Sequence, residues 1–151
     1  MRGYCGIGVW FPKTEHNIGT LWRSATIFQA DFIFTIGPRY RRQVSDTLAT
    51  WRHIPLYTYV NYADFYAHLP YDCRLVCVEL APGAFDLRTF VHPERAIYLL
   101  GAEDNGLPSD VLRGQIVIQI PAPCEHNSLN VATAGSIILW DRWCKSAVRG
   151  G

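Results

Sequence analysis

The chain has 151 residues, 49% hydrophobic and 18% charged, with a formal net charge of +1. That length and balance suit one compact domain over residues 1–151 and exclude a disordered or low-complexity chain. No apolar run approaches the roughly 20 residues a bilayer requires and the start has no apolar stretch of signal-peptide length, so the expectation is a cytoplasmic protein with no membrane partner.

In chain order, short apolar runs rich in β-branched and aromatic residues predict strands at 8–11, 32–36, 56–60, 75–78, 97–100 and 116–120. Helical spacing predicts helices between them: 18–28 with Ile18, Leu21, Trp22, Ala25, Ile27 and Phe28 apolar, then 63–69, and finally 129–143. Alternation of strand and helix implies an α/β fold, a mostly parallel sheet with helices on both faces. In such folds chemistry gathers in the loops that follow the carboxyl ends of the strands.

The first strand leads into NIGTLWRSA, residues 17–25. Asn17 suits a helix N-cap and Arg23 lies six residues on; locally, a cap and a solvated side chain account for both. After the second strand, Arg39, Arg41 and Arg42 interleave with Tyr40 ahead of Arg52 and His53. The near-neutral total charge requires any RNA contact to be local, and this cluster is the candidate, with a solvated loop as the plainer reading.

Five cysteines, Cys5, Cys73, Cys77, Cys124 and Cys144, lack C-x-x-C pairs and are read as free thiols, with Cys73 and Cys77 as strand residues on one face. The fifth strand runs into LLGAEDNGLP, residues 99–108, where Gly101 and Gly106 permit close backbone approach to a ligand and Pro108 begins a short helix. The sixth runs into IPAPCEHNSLNVATAGSIILW, residues 120–140, in which Ser128 suits an N-cap and Glu125 and His126 read as solvated loop residues. Gly3, Gly6 and Gly8 make no G-x-G-x-x-G and follow no strand, which argues against a dinucleotide fold.

Taken together the three segments are far more specific than any one. They resemble the SpoU family of RNA ribose methyltransferases of the SPOUT superfamily: N-x-G-x-x-x-R-x-A at Asn17, Gly19, Arg23 and Ala25; G-x-E-x-x-G-L at Gly101, Glu103, Gly106 and Leu107; and I-P with S-L-N-V at Ile120, Pro121, Ser128, Leu129, Asn130 and Val131. The resemblance covers about the whole chain.

It implies a C-terminal trefoil knot over about residues 75–143 that binds S-adenosyl-L-methionine, and a homodimer to which the final helix contributes. It implies methyl transfer to a ribose 2'-hydroxyl of tRNA or rRNA, with Arg23, Asn17, Glu103, Ser128 and Asn130 as catalytic residues. Val78, Gly101, Ile120, Ser128 and Leu129 would receive the cofactor, and the chemistry calls for no metal. Cys124 stands where many relatives carry glycine, which alters the shape of the cofactor loop. A non-catalytic RNA-binding protein with the same knot is the alternative.

Overall fold

A computed structural model of the chain describes residues 3–38, 54–102, 104–124 and 128–150, with only the backbone course for 147–150. Seven strands, β1 (Tyr4–Trp10), β2 (Phe32–Ile36), β3 (Leu56–Tyr59), β4 (Arg74–Val78), β5 (Phe85–Asp86), β6 (Arg95–Leu100) and β7 (Ile116–Gln119), form one sheet in the order β3-β2-β1-β6-β4-β7-β5. Every pairing between these strands is parallel. The strands are linked by α1 (Glu15–Ile27), α2 (Tyr62–Ala67) and α3 (Ser109–Leu112), and α4 (Val131–Gly150) closes the fold.

The period of two along each strand builds two separate cores. Cys5, Ile7 and Val9 of β1, Val76 of β4, and Ala96, Tyr98 and Leu100 of β6 face α1 and α4. Phe32, Phe34 and Ile36 of β2, Cys77 of β4, and Ile97 and Leu99 of β6 face the other side, where Phe65 of α2 and Val111 of α3 cover them. Helices therefore lie on both faces, and β1, β6 and β4 are buried on both, as a parallel sheet requires.

Gly6 and Gly8 alternate with the apolar residues of β1, and a Cβ on either would strike the rings of Phe32 and Phe34. These glycines make room for aromatic packing, including Phe34 stacked on Phe65 at 4.7 Å. On the opposite face Gly135 brings α4 close to α1: a Cβ there would stand 2.5 Å from Leu21 Cδ1. Ser136 Oγ donates to Ala132 O at 2.8 Å, so Ser24 donates in the 2.7 Å contact that joins α1 to α4. Trp22 Nε1 donates to Ile54 O at 3.0 Å and ties α1 to the approach to β3.

Several sequence expectations need correction. Thr14, not Asn17, caps α1: Thr14 Oγ1 accepts from Asn17 N at 3.4 Å, which leaves Asn17 inside the first turn and buried. Asn130, not Ser128, starts α4, its Oδ1 accepting from Ala132 N at 2.9 Å and Thr133 N at 3.2 Å. Cys73 lies just ahead of β4 instead of within it, and Phe11 leaves β1 with a φ of 44°. The two-residue β5 has no counterpart in the sequence expectations. Cys5, Cys73, Cys77 and Cys144 are free thiols, as expected; burial pushes those of Cys5 and Cys77 up to about 12, so neither is a ready nucleophile.

Candidate active site

The carboxyl ends of β4, β6 and β7 surround a cleft of about 300 Å³. Val78, Glu79 and Leu80 contribute from the end of β4, Leu100 to Ala102 and Asp104 to Gly106 from the loop after β6, and Gln119 and Ile120 from the end of β7. Ser128, Leu129, Val131 and Ala134 close it from the start of α4. The cleft forms where neighbouring strands send their loops apart, as expected of a strand order that reverses.

The loop after β6 is shaped by a tight return. Gly106 N donates to Ala102 O at 2.9 Å, and Gly106 has a φ of 61°, a conformation glycine adopts without strain. Glu79 then holds the loop from below, its Oε2 accepting from Leu107 N at 2.7 Å.

The first motif segment reaches the same end of the sheet. Lys13, in the loop after β1, forms an ion pair with Asp104 of the second segment. Asn17 Oδ1 accepts from Asn130 Nδ2 of the third segment at 2.9 Å, although 113 residues separate them. Asn130 thus bonds in two directions, capping α4 with its oxygen and holding Asn17 with its nitrogen.

Val78, Gly101, Ile120, Ser128 and Leu129, expected at a cofactor site, all line the cleft, while Asn17 and Asn130 meet beside it. Arg23 stands apart from its wall, exposed on α1 and with no ion pair or hydrogen bond among the described residues. Glu103 and the cluster Arg39, Arg41 and Arg42 lie outside the described residues. Cys124 is exposed and does not line the cleft.

Sequence reading missed Glu79 and Lys13, and took Asp104 only for a cap or solvent residue of its loop. Glu79 immediately follows β4 just as Gly101 follows β6, so the rule that ligands gather beyond strand ends pointed to it. Among the described residues no three His, Cys, Asp or Glu side chains gather as a metal cluster, and no helix is long and apolar enough to cross a membrane.

The family model of the SpoU rRNA Methylase family matches residues 7–140, which contain all three segments. The chain belongs to the SpoU family. An uncharacterized tRNA/rRNA methyltransferase of Mycobacterium bovis (strain ATCC BAA-935 / AF2122/97) is 31% identical over 140 residues, covering 85% of this chain and 48% of that protein. The tRNA (guanosine(18)-2'-O)-methyltransferase TARBP1 of Mus musculus is 29% identical over 68 residues, 44% of this chain and 4% of that enzyme.

This SpoU chain therefore spans half or less of the length of these curated relatives. Its fold is shared with the AdoMet-bound rRNA methyltransferase of Sinorhizobium meliloti, at a TM-score of 0.82 and 26% identity over 94% of this chain and 56% of that one.

Proposed function

We propose that this chain is an S-adenosyl-L-methionine-dependent methyltransferase that methylates a ribose 2'-hydroxyl of tRNA or rRNA. The observation that carries the reading is the meeting of three distant segments at one end of the sheet. Asn17 is bonded to Asn130, Lys13 is paired with Asp104, and the cleft lies beside them.

The cleft fits the cofactor. Its volume lies in the range of small-molecule sites. Gly101 and Gly106 leave room in the loop wall for the Glu79 carboxylate, which offers negative charge to a cationic ligand. Val78, Gly101, Ile120, Ser128 and Leu129 would hold it. Bound S-adenosyl-L-methionine would supply a methyl group on a sulfonium; the carbon–sulfur bond breaks to leave a neutral thioether, and the hydroxyl proton is given up to water.

The chain's own residues then have to orient a hydroxyl, and positioning of this kind is worth roughly 7–11 kcal/mol in favourable cases. Asn17 fixes Asn130, and Asn130, Ser128 and Glu103 orient the ribose. Arg23 clamps the RNA phosphate and polarises the hydroxyl; a guanidinium keeps its protons and is a poor base. Exposed and outside its own chain's cleft wall, Arg23 suits a site completed at a subunit boundary. Arg39, Arg41 and Arg42 supply further phosphate contacts.

The ribose target rests on the family triplet and on the 2'-O activity of the mouse relative. The reading includes a C-terminal trefoil knot, consistent with β6 inserting between β1 and β4 while β7 passes beyond β4. It also includes a homodimer through α4, whose Trp140 and Trp143 are more than half exposed.

The test is transfer of labelled methyl to RNA followed by alkaline digestion. A 2'-O-methylated nucleotide resists cleavage on its 3' side, because the oxygen that attacks the phosphate is blocked. Methyl on the base would overturn the ribose assignment. Binding of RNA without cofactor binding would favour the non-catalytic alternative.

A further inference from the structure

One carboxylate in the wall of the cleft has no counter-charge among the described residues. Asp104, which also lines it, is paired with Lys13. Glu79 has no Lys, Arg or His within ion-pair distance among the described residues.

Instead two backbone N–H groups hold it: Leu107 N donates to Oε2 at 2.7 Å and Leu80 N to Oε1 at 3.2 Å. Space has been left for it as well. A Cβ on Gly101 would stand 2.9 Å from Glu79 Oε2, and one on Gly106 would overlap the carboxylate. The group is fixed, partly buried and turned to the cleft, and two of its roughly four lone-pair sites remain open.

A partly buried charge held without a partner costs free energy unless a ligand of opposite sign meets it. The cofactor of the reading above has that sign. S-adenosyl-L-methionine carries a sulfonium, an ammonium and a carboxylate, a net single positive charge. Once its methyl has gone to the ribose oxygen, the remaining thioether, S-adenosyl-L-homocysteine, is neutral overall.

We propose that Glu79 is the residue by which the cleft distinguishes the charged cofactor from its neutral product, while its bond to Leu107 fixes the cofactor loop. This rests on the cofactor reading above. The carboxylate attracts the sulfonium form and loses that extra attraction once the methyl is transferred, which favours exchange of spent cofactor for fresh.

The test is calorimetric titration of the full chain with each ligand separately, for wild type, Glu79→Gln and Glu79→Asp, with ligand-free thermal unfolding as the check on folding. Glutamine retains the shape and an acceptor for Leu107 N–H but removes the charge. It is expected to weaken S-adenosyl-L-methionine about threefold or more, the effect of a unit charge at about 6 Å even with water-like screening, while S-adenosyl-L-homocysteine changes much less.

Glu79→Asp, which keeps the charge, is expected to shift both ligands by a common factor. Equal weakening of both by Glu79→Gln reduces Glu79 to a loop anchor and overturns the proposal. Failure of the wild type to bind either ligand overturns the cofactor reading itself. If Glu79→Gln does not fold, the wild type decides: raising salt from about 0.05 to 0.5 M should selectively weaken the sulfonium ligand, and an unchanged ratio overturns the proposal.

Discussion

Single residues here divide between those that touch the cleft and those that hold it in place. Arg23 belongs to neither group by position, being exposed on α1 and away from the cofactor wall. Arg23→Ala is therefore expected to lower turnover by at least about a hundredfold, the scale of a lost transition-state contact, while leaving cofactor affinity near wild type. Arg23→Lys should recover only part, because a point charge cannot reproduce the bidentate fork. Steady-state kinetics beside cofactor titration checks this, and equal small changes in both would reduce Arg23 to a surface residue.

His92 stands apart from the cleft, ahead of β6 and against α4. It is buried, with Nε2 at 2.7 Å from Asp141 Oδ2 and Nδ1 at 2.6 Å from Tyr98 Oη. A proton on Nε2 serves the carboxylate, so Nδ1 accepts from the tyrosine, and the neutral ring satisfies both contacts. Burial lowers its pKa below the ordinary histidine value; Asp141 opposes this, and Lys145 and Arg142 add to it. A lowered folded pKa means that the unfolded chain takes up the proton first as pH falls. The stability held by neutral His92 is thus complete above about pH 6.5 and declines as pH drops from there toward the folded value. Urea midpoints measured from pH 8 to 5 should fall below about pH 6.5 in wild type and fall less in His92→Gln.

At the scale of elements, two glycines give opposite expectations. A Cβ on Gly8 meets the ring and the backbone of Phe34 in the middle of a sheet, where nothing gives way. Gly8→Ala should cost about 3 kcal/mol or more by urea denaturation. A Cβ on Gly135 meets the terminal methyl of Leu21 at 2.5 Å, and alanine gains about 1 kcal/mol of helix propensity. The two effects offset, so Gly135→Ala should remain within about 1 kcal/mol of wild type. A larger loss there would mean that Leu21 cannot turn aside.

The elements were also the most legible level of the sequence. Period-two and helical patterns located six of the strands and helices α1, α2 and α4, because each buries a face against one or both of the two cores. Helix starts were less legible: Thr14 and Asn17 both suit a cap and stand three apart, as do Ser128 and Asn130 at two apart, and only geometry chooses. At the site, the motif residues identified the cleft wall, whereas Glu79 and Lys13 lie outside the motifs and reach the second segment only once the strands are set side by side. β5 is too short for any periodicity to reveal.

At the scale of the whole molecule, the outer face of α4 bears on association. Trp140 is 54% exposed and Trp143 56%, on the helix that completes one face of the sheet. If α4 is the dimer interface, Trp140→Glu combined with Trp143→Glu should give a folded monomer by sedimentation at micromolar concentration, with wild type remaining a dimer. A monomeric wild type with full activity would remove the dimer from the reading.

The strand order also governs how the chain must come together in time. β1 has β2 on one side and β6 on the other, and the β6 register pairs Tyr4 with Arg95. During synthesis at about 5–20 residues per second, β1 waits roughly 5–20 s for that second neighbour. Until then β1, β2 and β3 make at most a three-stranded unit whose open edge is the future centre of the sheet, with Ile7 and Val9 uncovered by α4. An unpaired apolar edge is a template for other chains. A strand buried on both faces in the finished protein is therefore long at risk of aggregation on the ribosome, and slowing translation before residue 95 should lower the soluble yield more than slowing it afterwards.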